Sequence, residues 1–130
     1  MVTSPERIQQ LLQLIIAYGF QVNTHAIGDR ANRVVLDAYE QTFAQMGGRH
    51  LRHRIEHAQI VHPDDIPRFK ALDIIASMQP THATSDMNMA EDRLGSERMK
   101  GAYAWQTFTQ QGTIVAAGSD FPVEYANPFF

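Results

Sequence analysis

Cysteine is absent from the 130 residues, which excludes disulfides and thiolate metal sites. The compartment stays open, with the cytoplasm slightly favoured. No apolar run approaches the roughly 20 residues that span a bilayer. A signal-peptide pattern is missing as well, because helix-start signals begin at Ser4. Nor does charge of one sign accumulate: 11 Lys and Arg against 14 Asp and Glu leave a net charge of −3. Such a balance offers no footprint for nucleic acid or an anionic membrane. Repeats, low-complexity stretches and linker-like segments are lacking too, so 1–130 reads as one unit. Its 44% apolar and 19% charged residues suffice for a buried core.

What is present alternates. Ser4-Pro5-Glu6 reads as N-cap, first-position proline and first-turn acid of a helix carrying Ile8, Leu11, Leu12, Ile15 and Ile16 and stopped at Gly19. A β-type run over 20–26 follows, then a helix from Gly28-Asp29 to Gly47-Gly48, with Asp29 as its N-cap. A strand is expected over 51–58, a short helix from Pro63-Asp64-Asp65, and a strand over 73–79. Residues 81–97 read as a polar active-site loop containing Met87 and Met89. A helix over 97–111 and a strand over 114–120 complete the order α-β-α-β-α-β-α-β. That order implies a parallel sheet with right-handed crossovers.

His25, His57, Gln79 and Asp120 each fall at the carboxyl-terminal end of a different strand, the edge where parallel α/β proteins bind ligands. His25 and His57 are 32 residues apart, close to the roughly 31 per unit of an eight-unit barrel of about 250 residues. From His57 to Asp120 there are 63, two such units. Side-chain parity places Asn23 with His25, Ile55 and His53 with His57, and Ala116 and Gly118 with Asp120 on the axial face. Phe20, Val22, Val115 and Ala117 would lie under helices, and Arg54 and Glu56 would also face outward.

A lone strand-end histidine ordinarily bonds to backbone. Two of them with a carboxylate make a set that suits zinc, iron, nickel or cobalt. A metal draws the pKa of water towards neutrality, and a carboxylate can take the proton and return it to a leaving amine. His50, His53 and His62 read as structural. Glu56 reads either as support for the metal site or as a partner of Arg54.

Thr24-His25-Ala26-Ile27-Gly28-Asp29, Arg54-Ile55-Glu56-His57-Ala58-Gln59, Ser77-Met78-Gln79-Pro80-Thr81-His82 and Gly118-Ser119-Asp120-Phe121-Pro122-Val123 occur in this order. Together they resemble amidohydrolase family 3 of the metal-dependent amidohydrolase superfamily, a group including N-substituted formamide deformylase. The resemblance implies half of a (β/α)8 TIM barrel, strands five to eight. It implies His25, His57 and Asp120 as metal ligands, Asp120 also as general base, and one or two divalent ions, zinc first among them. Gln79, His82 and Arg98 would contact a small amide-type substrate. The superfamily's His-x-His pair, its strand-four carboxylate and its flanking β-domain have no counterpart here.

The implied protein is therefore a fragment of a hydrolase acting on carbon–nitrogen bonds other than peptide bonds. Two alternatives stand beside it. One is an inactive half-barrel that self-associates through open sheet edges. The other is a flavodoxin-like binding domain, for which the Gly28 region supplies only one glycine of a phosphate loop.

Overall fold

The computed structural model describes residues 3–127. Pro128-Phe129-Phe130 lie outside the described residues.

Among the described residues six α-helices and four strands follow one another, with a 3-10 turn at Arg49–Leu51: α1 (Pro5–Ala17), β1 (Asn23–Ala26), α2 (Asp29–Met46), β2 (Arg54–His57), α3 (Ile66–Ala71), β3 (Ile75–Met78), α4 (Pro80–Asp86), α5 (Ala90–Met99), α6 (Trp105–Gln110) and β4 (Val115–Ala117). The strands are all parallel and lie in the order β1-β2-β3-β4. Sequential order without a reversal is the arc of a barrel. A flavodoxin-like sheet reverses its order at a switch point, and this one does not.

Local chemistry sets the ends. Ser4 caps α1 by accepting from the Arg7 amide at 3.3 Å. Gly28, not Asp29, is the N-cap of α2; the Asp29 carboxylate instead accepts from the Arg30 amide at 2.7 Å. Gly48 has φ 102, and a Cβ there would lie 2.6 Å from Ile16 Cγ2, so only glycine lets α1 and the end of α2 approach so closely. Leu12 and Ile16 of α1, Leu36, Tyr39 and Phe43 of α2, and Phe69 and Phe108 pack with Ile55, Ile74 and Ala76 in one core. Each such side chain contributes about 1.5–3 kcal/mol on burial.

Two expectations fail in an instructive way. Residues 81–97 are not a loop: Pro80 occupies the first turn of α4, and α5 follows, broken internally at Gly95 (φ 75, ψ 159). The expected helix over 97–111 is interrupted between α5 and α6, because this stretch pairs with the loop after β2. Val61 donates to Gly101 O at 2.9 Å, Tyr103 donates to Gln59 O at 2.8 Å, and Ile60 and Ala102 form an antiparallel bridge. A Cβ on Gly101 would stand 1.7 Å from Val61 O. Tertiary pairing here overrides a helical periodicity.

The axial register of β2 also differs from expectation. His25 is the register partner of Glu56, and Thr24 of Ile55. Thr24 shares a 3.0 Å hydrogen bond with Tyr39 of α2, so Thr24 and Ile55 face the helices. Arg54 and Glu56 therefore share the opposite face with His25. Parity breaks at His57, whose φ of 76 is not extended backbone and turns its ring back to the His25 side. Phe20 and Ala117, expected under helices, are exposed, whereas Val22 and Val115 pack against the core.

Candidate metal centre

The site is built on the carboxyl-terminal ends of three strands. His57 closes β2, Gln79 follows β3 as the N-cap of α4, His82 rides on the first turns of α4, and Asp120 follows β4. His57, His82 and Asp120 each offer a ligand atom, and these lie within 4.8 Å of one another. His57 is buried, His82 half-buried, and Asp120 more open, with φ 58. His82 Nε2 is 3.9 Å from Asp120 Oδ2, too far for a hydrogen bond, and is shielded from solvent with no hydrogen-bond partner among the described residues. The rings of His57 and His82 stack with centroids 5.8 Å apart.

His25, expected as a ligand, stands beside this group. Its ring meets that of His57 edge-on at 4.6 Å between centroids, and its side chain is exposed. Gln79, expected at the substrate, engages His57: its Oε1 lies 2.8 Å from His57 Nδ1. An amide oxygen only accepts, so Nδ1 carries the proton and Nε2 keeps its lone pair. Metal-binding imidazoles carry this tautomer. Burial, with the neighbouring His25 next in importance, pushes the His57 pKa down, which favours the neutral, ligating form. Arg98, also expected at the substrate, donates to Leu94 O at 2.8 Å and Arg93 O at 3.3 Å within its own helix.

The remaining histidines are structural or exposed. His53 is fully buried, accepting from the Val22 amide at Nδ1 (3.0 Å) and donating from Nε2 to Gly48 O (3.0 Å). His50 and His62 are exposed.

Sequence reading missed three residues at the back of the site. Asp86 Oδ2 accepts from Gln59 Nε2 at 2.5 Å and from the Tyr103 hydroxyl at 2.7 Å. Proline at the start of α4 was the available signal, since it makes His82 and Asp86 an i, i+4 pair on one helix face. The partners of Asp86 come from 27 and 17 residues away, and nothing in the local pattern announces them.

Known proteins share this architecture. The chain is 42% identical over 128 residues to Protein LONG AFTER FAR-RED 3 of Arabidopsis thaliana, covering 98% of this chain and 22% of that protein. It is 38% identical over 123 residues to the putative amidohydrolase YtcJ of Bacillus subtilis, covering 95% and 23%. The chain thus spans less than a quarter of the length of these relatives. An uncharacterized metal-dependent hydrolase from Pyrococcus furiosus superposes with a TM-score of 0.82 at 33% identity, over 97% of this chain and 25% of that one. A triazine hydrolase variant shares the fold alone, with a TM-score of 0.57 at 16% identity over 90% and 24%. The four parallel strands with alternating helices are half of the barrel these structures contain. The sequence profile of the amidohydrolase family matches residues 1–130 from end to end, and the chain belongs to that family.

Proposed function

We propose that the chain supplies half of the metal centre of a hydrolase that cleaves carbon–nitrogen bonds other than peptide bonds in small amide-type substrates. The gathering of His57, His82 and Asp120 at the carboxyl-terminal edge of a parallel sheet carries this reading. The likeness to a metal-dependent hydrolase and a putative amidohydrolase supports it.

The residues fit a divalent ion, with zinc the first candidate. Two imidazoles and a carboxylate form a borderline donor set, His82 Nε2 has no hydrogen-bond partner among the described residues, and Gln79 engages the other ring nitrogen of His57, Nδ1. His57, Asp120 and His82 would hold the ion, with His25 beside them as the further ligand. When bound, such an ion supplies an acidified water and polarises the substrate carbonyl. Asp120, the most open of the three, takes a proton from water as the new carbon–oxygen bond forms. It then delivers that proton to the nitrogen as the carbon–nitrogen bond breaks. Gln79 holds the His57 tautomer throughout, and Arg98 would reach substrate only by releasing its helix carbonyls.

Cobalt(II) or zinc titration of the chain tests the reading. His57→Ala and Asp120→Asn should each weaken binding by about tenfold or more, with the exposed His50→Ala as control. His25→Ala and His82→Ala, compared with each other, report which histidine completes the set. Metal binding that survives His57→Ala unchanged would refute the assignment.

A second reading rests on the sheet edges. Among the described residues β1 and β4 each have one unpaired edge, and a groove of about 570 Å3 lined by Leu11, Leu12, Ile15 and Val22 runs beside β1. On this reading the chain is inactive alone and self-associates through those edges. Light scattering that gives a clean monomer across the micromolar range would count against it.

A further inference from the structure

Residues behind the metal centre tie its two sides together. On one side, His57 and Gln59 lie two residues apart at the end of β2. On the other, His82 and Asp86 lie one turn apart on α4. The His57 and His82 rings stack, and Gln59 Nε2 donates to Asp86 Oδ2. These are two parallel rungs between the same two segments. Tyr103 closes the second rung. Its hydroxyl donates to Asp86 Oδ2 at 2.7 Å and accepts from Gln59 Nε2 at 3.2 Å, while its amide donates to Gln59 O at 2.8 Å. Tyr103 holds φ 49, a left-handed conformation that a bulky side chain occupies only when its surroundings enforce it.

We propose that Tyr103 is a positioning residue for the metal centre: through Asp86 it fixes the orientation of α4 and so holds His82 against His57 and Asp120. The inference rests on the metal-holding role of His82 proposed above. The architecture favours a fixed orientation, because α4 has seven residues, too few to be stable alone, and no side-chain cap. Its first turn follows directly from β3, but its last turn is anchored by Asp86. Burial first, and then the hydrogen bond to Asp86, pushes the Tyr103 pKa up to about 12, so the hydroxyl remains a donor at neutral pH. Neither Tyr103 nor Asp86 belongs to the ligand cluster of His57, His82 and Asp120.

Two readouts on the whole chain test this. In cobalt(II) titrations, Tyr103→Phe should raise the dissociation constant about tenfold, the size of effect seen when groups that orient metal ligands are removed. Asp86→Asn, which keeps the side-chain size, should act in the same direction. In a His82→Ala background, Tyr103→Phe should cause no further loss, since it acts through that histidine. In hydrogen-exchange measurements without metal, amides of residues 81–86 should exchange faster in Tyr103→Phe, while those of α2 remain unchanged. Equal losses with and without His82, or unchanged exchange over α4, would overturn the proposal. Failure of the unsubstituted chain to bind cobalt would instead sink the metal reading and with it the role of His82. The exchange data would still show whether Tyr103 holds α4.

Discussion

Glu56 stands beside His25 in the sheet register, and its carboxylate meets the Arg54 guanidinium at 2.9 Å on the same axial face. The contact is a charge pair rather than an aligned hydrogen bond, and both side chains are about a third exposed or less. Arg54→Met should therefore lower stability by about 1 kcal/mol, because it strands a half-buried carboxylate. The double variant Arg54→Met with Glu56→Gln should recover part of that loss. Urea unfolding of the four proteins measures the coupling, and strict additivity would show that the pair is incidental.

A second ion network joins α2 to α3. Asp65 is buried, with Oδ2 at 2.8 Å from Arg33 Nε and Oδ1 at 3.1 Å from Arg68 Nη1, while Arg68 Nη2 reaches Asp37 and Glu40 at 2.7 Å each. Hydrogen bonds to these carboxylates raise the Arg68 pKa against the opposing effect of burial. Asp65→Ala should cost about 2 kcal/mol, below the usual range for a buried pair because Arg33 is half exposed. Glu40→Ala, at an exposed carboxylate, should cost under about 0.5 kcal/mol. Equal costs for the two would remove Asp65 from the centre of the network.

Acid sensitivity follows from His53. Burial pushes its pKa down, ahead of the opposing bond to Gly48 O, so the folded chain holds it neutral. Protonation would also break the Val22 amide bond to Nδ1. The unfolded state, with an ordinary histidine pKa near 6.5, binds the proton first. Stability is thus full above that value and declines as pH falls below it, levelling once the folded-state pKa is passed. His57, lowered in the same direction, adds to the slope. Urea midpoints between pH 5 and 8 should rise with pH, and His53→Gln should flatten the rise. An identical slope in that variant would place the effect elsewhere.

Glycines 101 and 118 provide a contrast. A Cβ at Gly101 would collide with Val61 O, a backbone atom that cannot swing aside, whereas a Cβ at Gly118 meets nothing within 4 Å. Gly101→Ala should cost more than about 2 kcal/mol, and Gly118→Ala should stay within about 0.5 kcal/mol. Thermal unfolding compares them directly. A mild Gly101→Ala would mean that the 100–104 segment is free to leave the loop after β2.

The strand-end positions of His25, His57, Gln79 and Asp120 were legible because period, capping and unit length all act locally. So was the alternation of elements, down to α1 and its Ser4 cap. What escaped was set by distant partners. Parity failed at His57 because one left-handed residue reverses a side chain, and no alternation pattern encodes it. The helix expected across 97–111 failed because Gly101 and Tyr103 bond to the loop after β2, some 40 residues earlier. The motif alone reads His82 as a substrate contact; that Pro80 starts a helix and sets His82 beside His57 and Asp120 is not written in it.

The strands lie side by side in the order in which they occur in the chain. Among the described residues β2, β3 and β4 each pair with the strand that precedes them in the chain, so every strand pairing is between consecutive units. Asp120 follows β4, so the cluster of His57, His82 and Asp120 comes together only when three successive units of this sheet are paired, and one misplaced unit would scatter it.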